Sequence, residues 1–524
     1  MQLKDEHMGR IAVSTLALPD FVKAPSGTYT SSGTILVDYQ TDGDADKKNF
    51  FRLGVLKDDG TDFREIYSGV IKQHPKANGI RFMVFSDNKR VLLGDYVLEC
   101  TPDINCCETT KLVPVVYPDI LYNDARVLFH WSEIIISPDN EHICWTALSR
   151  SSASVMIGRL KRGEDAYVIE GVKTISPSGL LQPDPNNEGY VIPGVLRGGE
   201  VKQFTKGGSA ISLVGAKDSA LSDSVIMHLD SDKVEQITRL PGYEETTILS
   251  PDERLGISMS TRFSPKTNFA ILGLLPRPFG ILSTQGLILP VYMYAVAGVR
   301  RFRKGNIGPV LVDIGKSMNE PGYMGVQLNA PDDNWVYLSP MSWHPNGKKA
   351  LWPEMLRGQP KNKRIRIAEL PDYETKCKPP TVQTPDNIPY AVDGVSLGWL
   401  EPREDIDCKI AGKHSGDISY RRAGRDVQTR YNRFSNDGES FYDGFERVSH
   451  TVTFETVYEA DFTLSGEKPG EMKCRLTFSP SSLDASIPVK LLFEKADDGK
   501  AKSYGYASFD GIRLCVEDMA QSQT

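Results

Sequence analysis

TILSPDERLGISMST, residues 247–261, reads as an apolar run, a tight turn and a second apolar run. Proline presets the turn φ, and the aspartate side chain caps the turn by accepting a bond from nearby backbone. Ser-Pro-Asp therefore marks a strand–turn–strand unit. The frame recurs in IIISPDNEHICWTAL (134–148), MSWHPNGKKALWPEM (341–355) and YNRFSNDGESFYDGF (431–445). MVFSDNKRVLLGDYV (83–97) is a shortened copy, and TYTSSGTILVDYQ (28–40) and KQFTKGGSAISLVG (202–215) are looser ones. Further strand–turn–strand patterns follow these turns, as in NFFRLGVLKDDGTDFREIY and SVMIGRLKRGEDAYVIEG. Each unit then holds about four strands, and the turns near residues 32, 87, 138, 206, 251, 345 and 436 count seven units. Four-stranded units repeated around an axis leave only short, protected edges. The expectation is an all-β, seven-bladed β-propeller of four-stranded blades. Two β-sandwiches in tandem are the alternative.

At this level the chain resembles the TolB-like propeller repeats, whose mark is an apolar inner strand ending in Ser-Pro-Asp-Gly. The stretch SVIMHLDSDKVEQITRLPGYEETTILSPDERLGISMS (224–260) carries the resemblance best. It implies architecture and leaves function open, because a fold of this kind hosts many unrelated activities. The whole chain, 1–524, is read as one propeller domain. The strand-rich stretch 450–520 is its last blade or a small appended β unit, and RIAVSTLAL near the N-terminus closes the ring by pairing with it.

Apolar content of 40% with 25% charged residues is ordinary globular composition, and a net charge of −7 gives no electrostatic case for nucleic acid. The N-terminus MQLKDEHMGRIAV has early acidic residues and no apolar signal core, so a cytoplasmic location is expected. The eight cysteines are scattered, with no zinc spacing. Cys100 and Cys106 flank TPDIN and can meet across a hairpin, as reduced thiols. No GxGxxG after a strand, P-loop or GxSxG elbow occurs, so no nucleotide cofactor is expected. A divalent metal in the channel stays open as an alternative. The resemblance extends by analogy to propeller lyases such as oligogalacturonate lyase, but His130, His228, His414, His450 and Gln428 lack the tight spacing of that group's metal ligands.

In the TolB-like frame the inner strand begins at one mouth of the channel and ends at the Ser-Pro-Asp turn. Residues five to seven positions before the turn then ring the ligand-binding mouth. That implies His130, Trp131 and the adjoining Glu133; Tyr243, Glu244 and Glu245; Tyr337; Gln428 and Arg430; Arg81; and Arg197. A histidine, carboxylates, arginines and aromatics converging on one opening suit a small-molecule pocket. His130 fits proton transfer, because its charge changes near working pH. Glu133 and Glu245 orient it or act as partner base. Tyr243 and Tyr337 are placed to donate to a developing oxyanion. Arg81, Arg197 and Arg430 suit bidentate binding of an anion, with Trp131, Glu244 and Gln428 as further substrate contacts. The opposing reading is that these charges only satisfy one another around a water-filled pore. His344 replaces the serine of its turn and belongs at the far mouth.

The longest gap between turns, about 261–322, holds PFGILSTQGLILPVYMYAVAGV (278–299) followed by RRFRK. About 20 apolar residues are long enough to cross a bilayer, but Pro276, Pro278, Pro290 and the polar Ser283-Thr284-Gln285 interrupt a span. A partly helical insertion is expected instead, with Pro290 in a first helical turn and Arg300, Arg301, Arg303 and Lys304 at the helix's negative end. It is a roof over the channel, a self-packed collar, or a contact through 275–304 with a membrane surface or a second copy. Under the roof, the chain is expected to be a cofactor-independent lyase, isomerase or hydrolase acting on a hydrophobic, aromatic or terpenoid-like small molecule. The alternative is a non-catalytic propeller that binds a protein or a ligand.

Overall fold

The computed structural model describes all residues except 45, 72–81, 119–133, 149–152, 177–180, 196–197, 218–219, 265–269, 301–306, 331–333, 397–404, 452–454, 480–488 and 522–524. The Ser-Pro-Asp turns form as their chemistry dictates. In the turn at 250–255, Ser250 Oγ donates to Asp252 Oδ1 at 2.6 Å and accepts from Leu255 N at 3.0 Å. Glu253 takes the left-handed conformation the turn requires, at φ 57°. Ser137, Asp139 and His142 repeat the arrangement. At 344 a histidine stands in for the serine, and its Nδ1 accepts from Asn346 N at 3.0 Å.

Six groups of strands result, spanning residues 23–70, 82–116, 135–174, 200–236, 244–327, and 335–369 with 2–15; the first, fourth and fifth are four-stranded sheets, the second and third are joined by parallel pairing of Thr109–Val116 with Tyr167–Thr174, and the last has six strands. The last is completed by the N-terminus: Gly9–Thr15 pairs antiparallel with Lys363–Glu369, placing Ala12 opposite Glu369 and Thr15 opposite Arg366. Ring closure therefore runs through 363–369, and the expected pairing of RIAVSTLAL with the region after 450 does not occur.

A shared core joins each group to the next. Leu36 and Leu53 pack with Val91 and Leu98, Val97 and Val113 with Trp145 and Met156, and Val155 and Ile157 with Val201 and Ile211. Around the rest of the ring, Ala210 and Ile226 pack with Leu249 and Val310, Ile257 with Trp352, and Ile365 and Leu351 with Ile35 and Val37. Six neighbours in a closed cycle make a propeller, six-bladed among the described residues where seven turns had been counted.

The seventh turn, at 435–438, has the same local chemistry: Ser435 Oγ donates to Asp437 Oδ1 at 3.2 Å and accepts from Gly438 N. It lies in a different sheet. Residues 406–515 form a nine-stranded antiparallel meander separate from the blades. In Asp426–Ser435, Val427, Thr429 and Tyr431 face inward while Gln428 and Arg430 face out. The region 450–520 is thus neither a last blade nor a unit by itself; it is most of this second sheet.

A strap, residues 370–396, leads from the last blade toward the second sheet across the turn face of the ring, and the turn aspartates hold it. Lys376 N donates to Asp252 Oδ2 at 3.0 Å and Thr384 N to Asp139 Oδ2 at 2.7 Å. The half-exposed Asp386 bonds the buried His142 Nε2 at 2.9 Å.

The apolar insertion leaves the strand Leu255–Ser260 and returns as Gly308–Asp313. It forms short helices at Ala270–Gly273, Gly280–Thr284 and Ile288–Met293, the last continuing as a wider helical turn through Arg300. Pro290 lies in the first turn of its helix, as expected. The segment is sandwiched: Leu287, Val291, Met293, Tyr294 and Val299 are buried in one core with Leu255 and Trp352 of the propeller and Tyr458, Phe462 and Phe478 of the second sheet. Among the described residues, Ile288 and Leu289 are its exposed large apolar side chains. This packing buries much of its apolar surface. Among the described residues no helix is long and apolar enough to cross one.

A buried polar cluster fixes the insertion to the second sheet. Arg277 Nε meets Glu446 Oε2 at 2.7 Å, with both side chains essentially inaccessible. Tyr431 and Tyr458 hydroxyls each donate to Glu446 at 2.6 Å. Arg277 Nη1 also donates to the carbonyls of Leu272 and Leu275. Every charge in the cluster is met, which is what burial of an ion pair demands.

Candidate active site

The strand Glu244–Leu249 is the inner strand of the fifth blade, and side chains alternate along it. Glu244 and Glu245 consequently face different partners. Glu244 is saturated: it pairs with Arg262 Nη2 at 3.0 Å and accepts from Ser260 Oγ at 2.5 Å and Ser258 Oγ at 3.2 Å, all buried. That set fixes the first turn of the insertion to its blade.

Glu245 is 5% exposed and, among the described residues, meets the charge of Arg300, Nη1 to Oε1 at 3.7 Å. At that distance the contact is a charge interaction with little hydrogen-bond character. Glu245 Oε2 and Arg300 Nε are buried without a hydrogen-bond partner among the described residues. Arg300 comes from the end of the apolar helix. It turns into the propeller instead of only complementing the helix terminus, and its carbonyl accepts from Arg357 Nη1 at 3.0 Å.

Two tyrosines complete the group. Tyr243 and Tyr337 are both fully buried. Burial pushes the Tyr243 hydroxyl well above its ordinary pKa, with the charges of Glu245 and Glu200 and the hydroxyl of Tyr292 adding to it and Arg300 opposing. Tyr337 is raised by burial first, then by Glu245 and Glu354, with Arg300 again opposing. Both therefore stay protonated, and the Tyr337 hydroxyl donates to Met341 Sδ. Around them, Glu354 is held by Trp352 Nε1 at 2.8 Å and by Arg364 at 2.7 Å, and Lys202 pairs with Glu200 at 3.1 Å.

Tyr243, Glu245 and Tyr337 are brought near one another, buried instead of ringing an open mouth. Gln428 and Arg430 are not: they lie on the outer, exposed face of the second sheet. The repeat frame misplaced them because the turn at 435 belongs to another unit. His130, Trp131, Glu133, Arg81 and Arg197 lie outside the described residues. Sequence reasoning missed Arg300, Glu200, Lys202 and Glu354. Glu200 and Lys202 were within reach of it, since they occupy the inner strand Glu200–Thr205 immediately after the positions chosen. Among the described residues no three His, Cys, Asp or Glu side chains converge as metal ligands would.

No family model matches the chain, and no curated relative does. Solved structures overlap it at low identity. TolB from Acinetobacter baumannii is 12% identical, with 67% of this chain and 65% of that one covered and a TM-score of 0.29. An oligogalacturonate lyase in complex with manganese is 12% identical over 71% of this chain and 96% of that one, at 0.35. A luciferin-regenerating enzyme is 6% identical over 71% of this chain and all of the other, also at 0.35. Likenesses this slight assign neither chemistry nor substrate.

Proposed function

We propose that the protein is an enzyme that transforms a small molecule by proton transfer at Glu245, in a lyase, isomerase or hydrolase reaction. The reading rests on one observation: a buried carboxylate oxygen, Glu245 Oε2, with no hydrogen-bond partner among the described residues, beside a guanidinium with a free Nε. An unmet buried acceptor costs roughly 1–3 kcal/mol, and such groups call for an explanation in ligand, water or catalysis. In the proposed reaction Oε2 takes a proton from substrate carbon or from a water. The oxygen that gains charge accepts from the Tyr243 hydroxyl. Arg300, whose Nη1 lies 3.7 Å from Glu245 Oε1, attracts an anionic or carbonyl group. His130 and Glu133 enter the same proposal on sequence grounds as further proton-transfer groups, with Arg81, Arg197 and Trp131 as substrate contacts. The substrate class enters on sequence grounds: a hydrophobic, aromatic or terpenoid-like molecule, here one bearing a carbonyl or carboxylate to meet Arg300.

The test is native mass spectrometry of the purified chain with a panel of aromatic and terpenoid carbonyl and carboxylate compounds. Complexes that form with the wild type and are lost in Arg300→Met support the reading; a panel that leaves no complex, or complexes indifferent to Arg300, overturns it. A second reading, a non-catalytic interaction module, is favoured by the saturation of Glu244 and Glu354, and predicts a stable protein complex in pull-down with no small molecule bound.

A further inference from the structure

The stretch CTPDINCCE, residues 100–108, carries three of the eight cysteines. It joins Tyr96–Thr101 to Thr109–Val116 in the second blade, with Thr101 opposite Thr109 and Cys100 opposite Thr110. Glu108 N donates to Thr101 O at 2.8 Å and closes the loop. The expected meeting of Cys100 with Cys106 does not occur. Cys106 is exposed, and its amide and thiol both turn to Asp103, whose carboxylate raises the thiol pKa and so keeps it protonated. Cys107 instead packs against the core that contains Cys100, its thiol donating to the Thr109 carbonyl at 3.4 Å, and lies close enough to Cys100 to raise that thiol's pKa.

The loop also clasps the neighbouring blade. Asn105 Oδ1 accepts from Thr34 Oγ1 at 2.8 Å, and its Nδ2 donates to Ser32 Oγ at 2.8 Å, both in the first blade's turn. Arg64 of the first blade donates to the Ile104 carbonyl at 3.3 Å. Whatever stiffens 102–108 therefore stiffens the junction of blades one and two.

We propose that Cys100 and Cys107 form a reversible disulfide with a low-molecular-weight disulfide such as glutathione disulfide as oxidant, stapling this clasp. Cys107 is half-buried and reachable, whereas Cys100 is buried. The Cys107 thiol loses its proton to solvent, and its thiolate attacks one sulfur of the oxidant, forming a mixed disulfide and expelling one thiolate. Cys100, whose pKa is raised by burial and by Cys107, then loses its proton and attacks Cys107 Sγ, expelling the second thiolate. Two protein thiols and one small disulfide give one protein disulfide and two small thiols. Cys106, exposed and turned to Asp103, is left out.

The experiment equilibrates the full chain in glutathione buffers of set ratio, quenches with acid, alkylates remaining thiols and maps the peptide by fragmentation. The expected product is two hydrogens lighter, linked 100 to 107, with Cys106 alkylated. Amide exchange of 102–108 should slow by about tenfold or more in the oxidised form. Cys106→Ser should leave the link intact and Cys107→Ser should abolish it. A link to Cys106, a glutathione adduct on Cys106 without an internal link, or full alkylation of all three thiols in excess glutathione disulfide would each overturn the proposal.

Discussion

Replacing Arg277 with methionine keeps the length of the side chain and removes the guanidinium. Glu446 would remain fully buried, accepting from Tyr431 and Tyr458 but with no counter-charge. Removing one partner of a buried ion pair costs about 3–5 kcal/mol. The carbonyls of Leu272 and Leu275 lose their donor as well, each worth roughly 1–3 kcal/mol if left unmet. Water entering the loosened site offsets part of this, so a net loss of about 4 kcal/mol is expected. Since about 1.4 kcal/mol is a factor of ten, amide protection in the strand Thr456–Ser465 should fall by roughly three orders of magnitude. Hydrogen exchange read by mass spectrometry on peptides covering that strand measures it. The double variant Arg277→Met, Glu446→Leu leaves no uncompensated charge and should be less destabilised than the sum of the two single variants, because the Leu272 and Leu275 carbonyls and the Tyr431 and Tyr458 hydroxyls lose their partners only once. Protection in Arg277→Met within tenfold of wild type, or a double variant as unstable as the sum of the singles, would refute the view that this pair locks the insertion to the second sheet.

Asp252→Ala should cost about 2–3 kcal/mol, because it strips an acceptor from Ser250 Oγ and from the strap amide of Lys376; faster proteolysis of 370–396 alongside a lower melting temperature checks it. His344 gives a pH signature. Burial lowers its pKa below the ordinary 6.5, with Asp58 opposing. The unfolded chain then binds the extra proton, so its contribution is present above pH 6.5 and is lost as pH falls through the lower folded value. Urea titrations between pH 5 and 8 should show stability rising with pH, and His344→Ser, which restores the usual turn residue, should flatten that rise; an unchanged slope counts against it.

What could be read from the sequence was local chemistry repeated. Ser250-Pro-Asp252 and Ser137-Pro-Asp139 encode their turns through side chains two to five residues apart, so a propeller was legible. The blade count was not, because Ser435 and Asp437 make a turn of the same kind in a sheet with other neighbours, and turn chemistry carries no information about which sheet it serves. Ring closure by Gly9–Thr15 was hidden for a similar reason: its partner at 363–369 lies some 350 residues away, and alternation in a strand does not name a partner. Tyr243, Glu245 and Tyr337 followed from the inner-strand frame. Arg300 did not, because its approach to Glu245 depends on how the helix carrying it is wedged between two sheets. The turn aspartates also have a second role, holding the strap amides, which no spacing in the sequence announces.

Deuterium transfer from heavy water into ligands bound by the wild type and by Glu245→Gln tests the central claim most directly. Mass spectrometry of the recovered ligand should show deuterium at a carbon next to its carbonyl with the wild type, or the deuterated product of water addition. Glu245→Gln, with binding and melting temperature held, should incorporate at least about a hundredfold less. Incorporation undiminished in Glu245→Gln would contradict the assignment of that carboxylate as the proton acceptor.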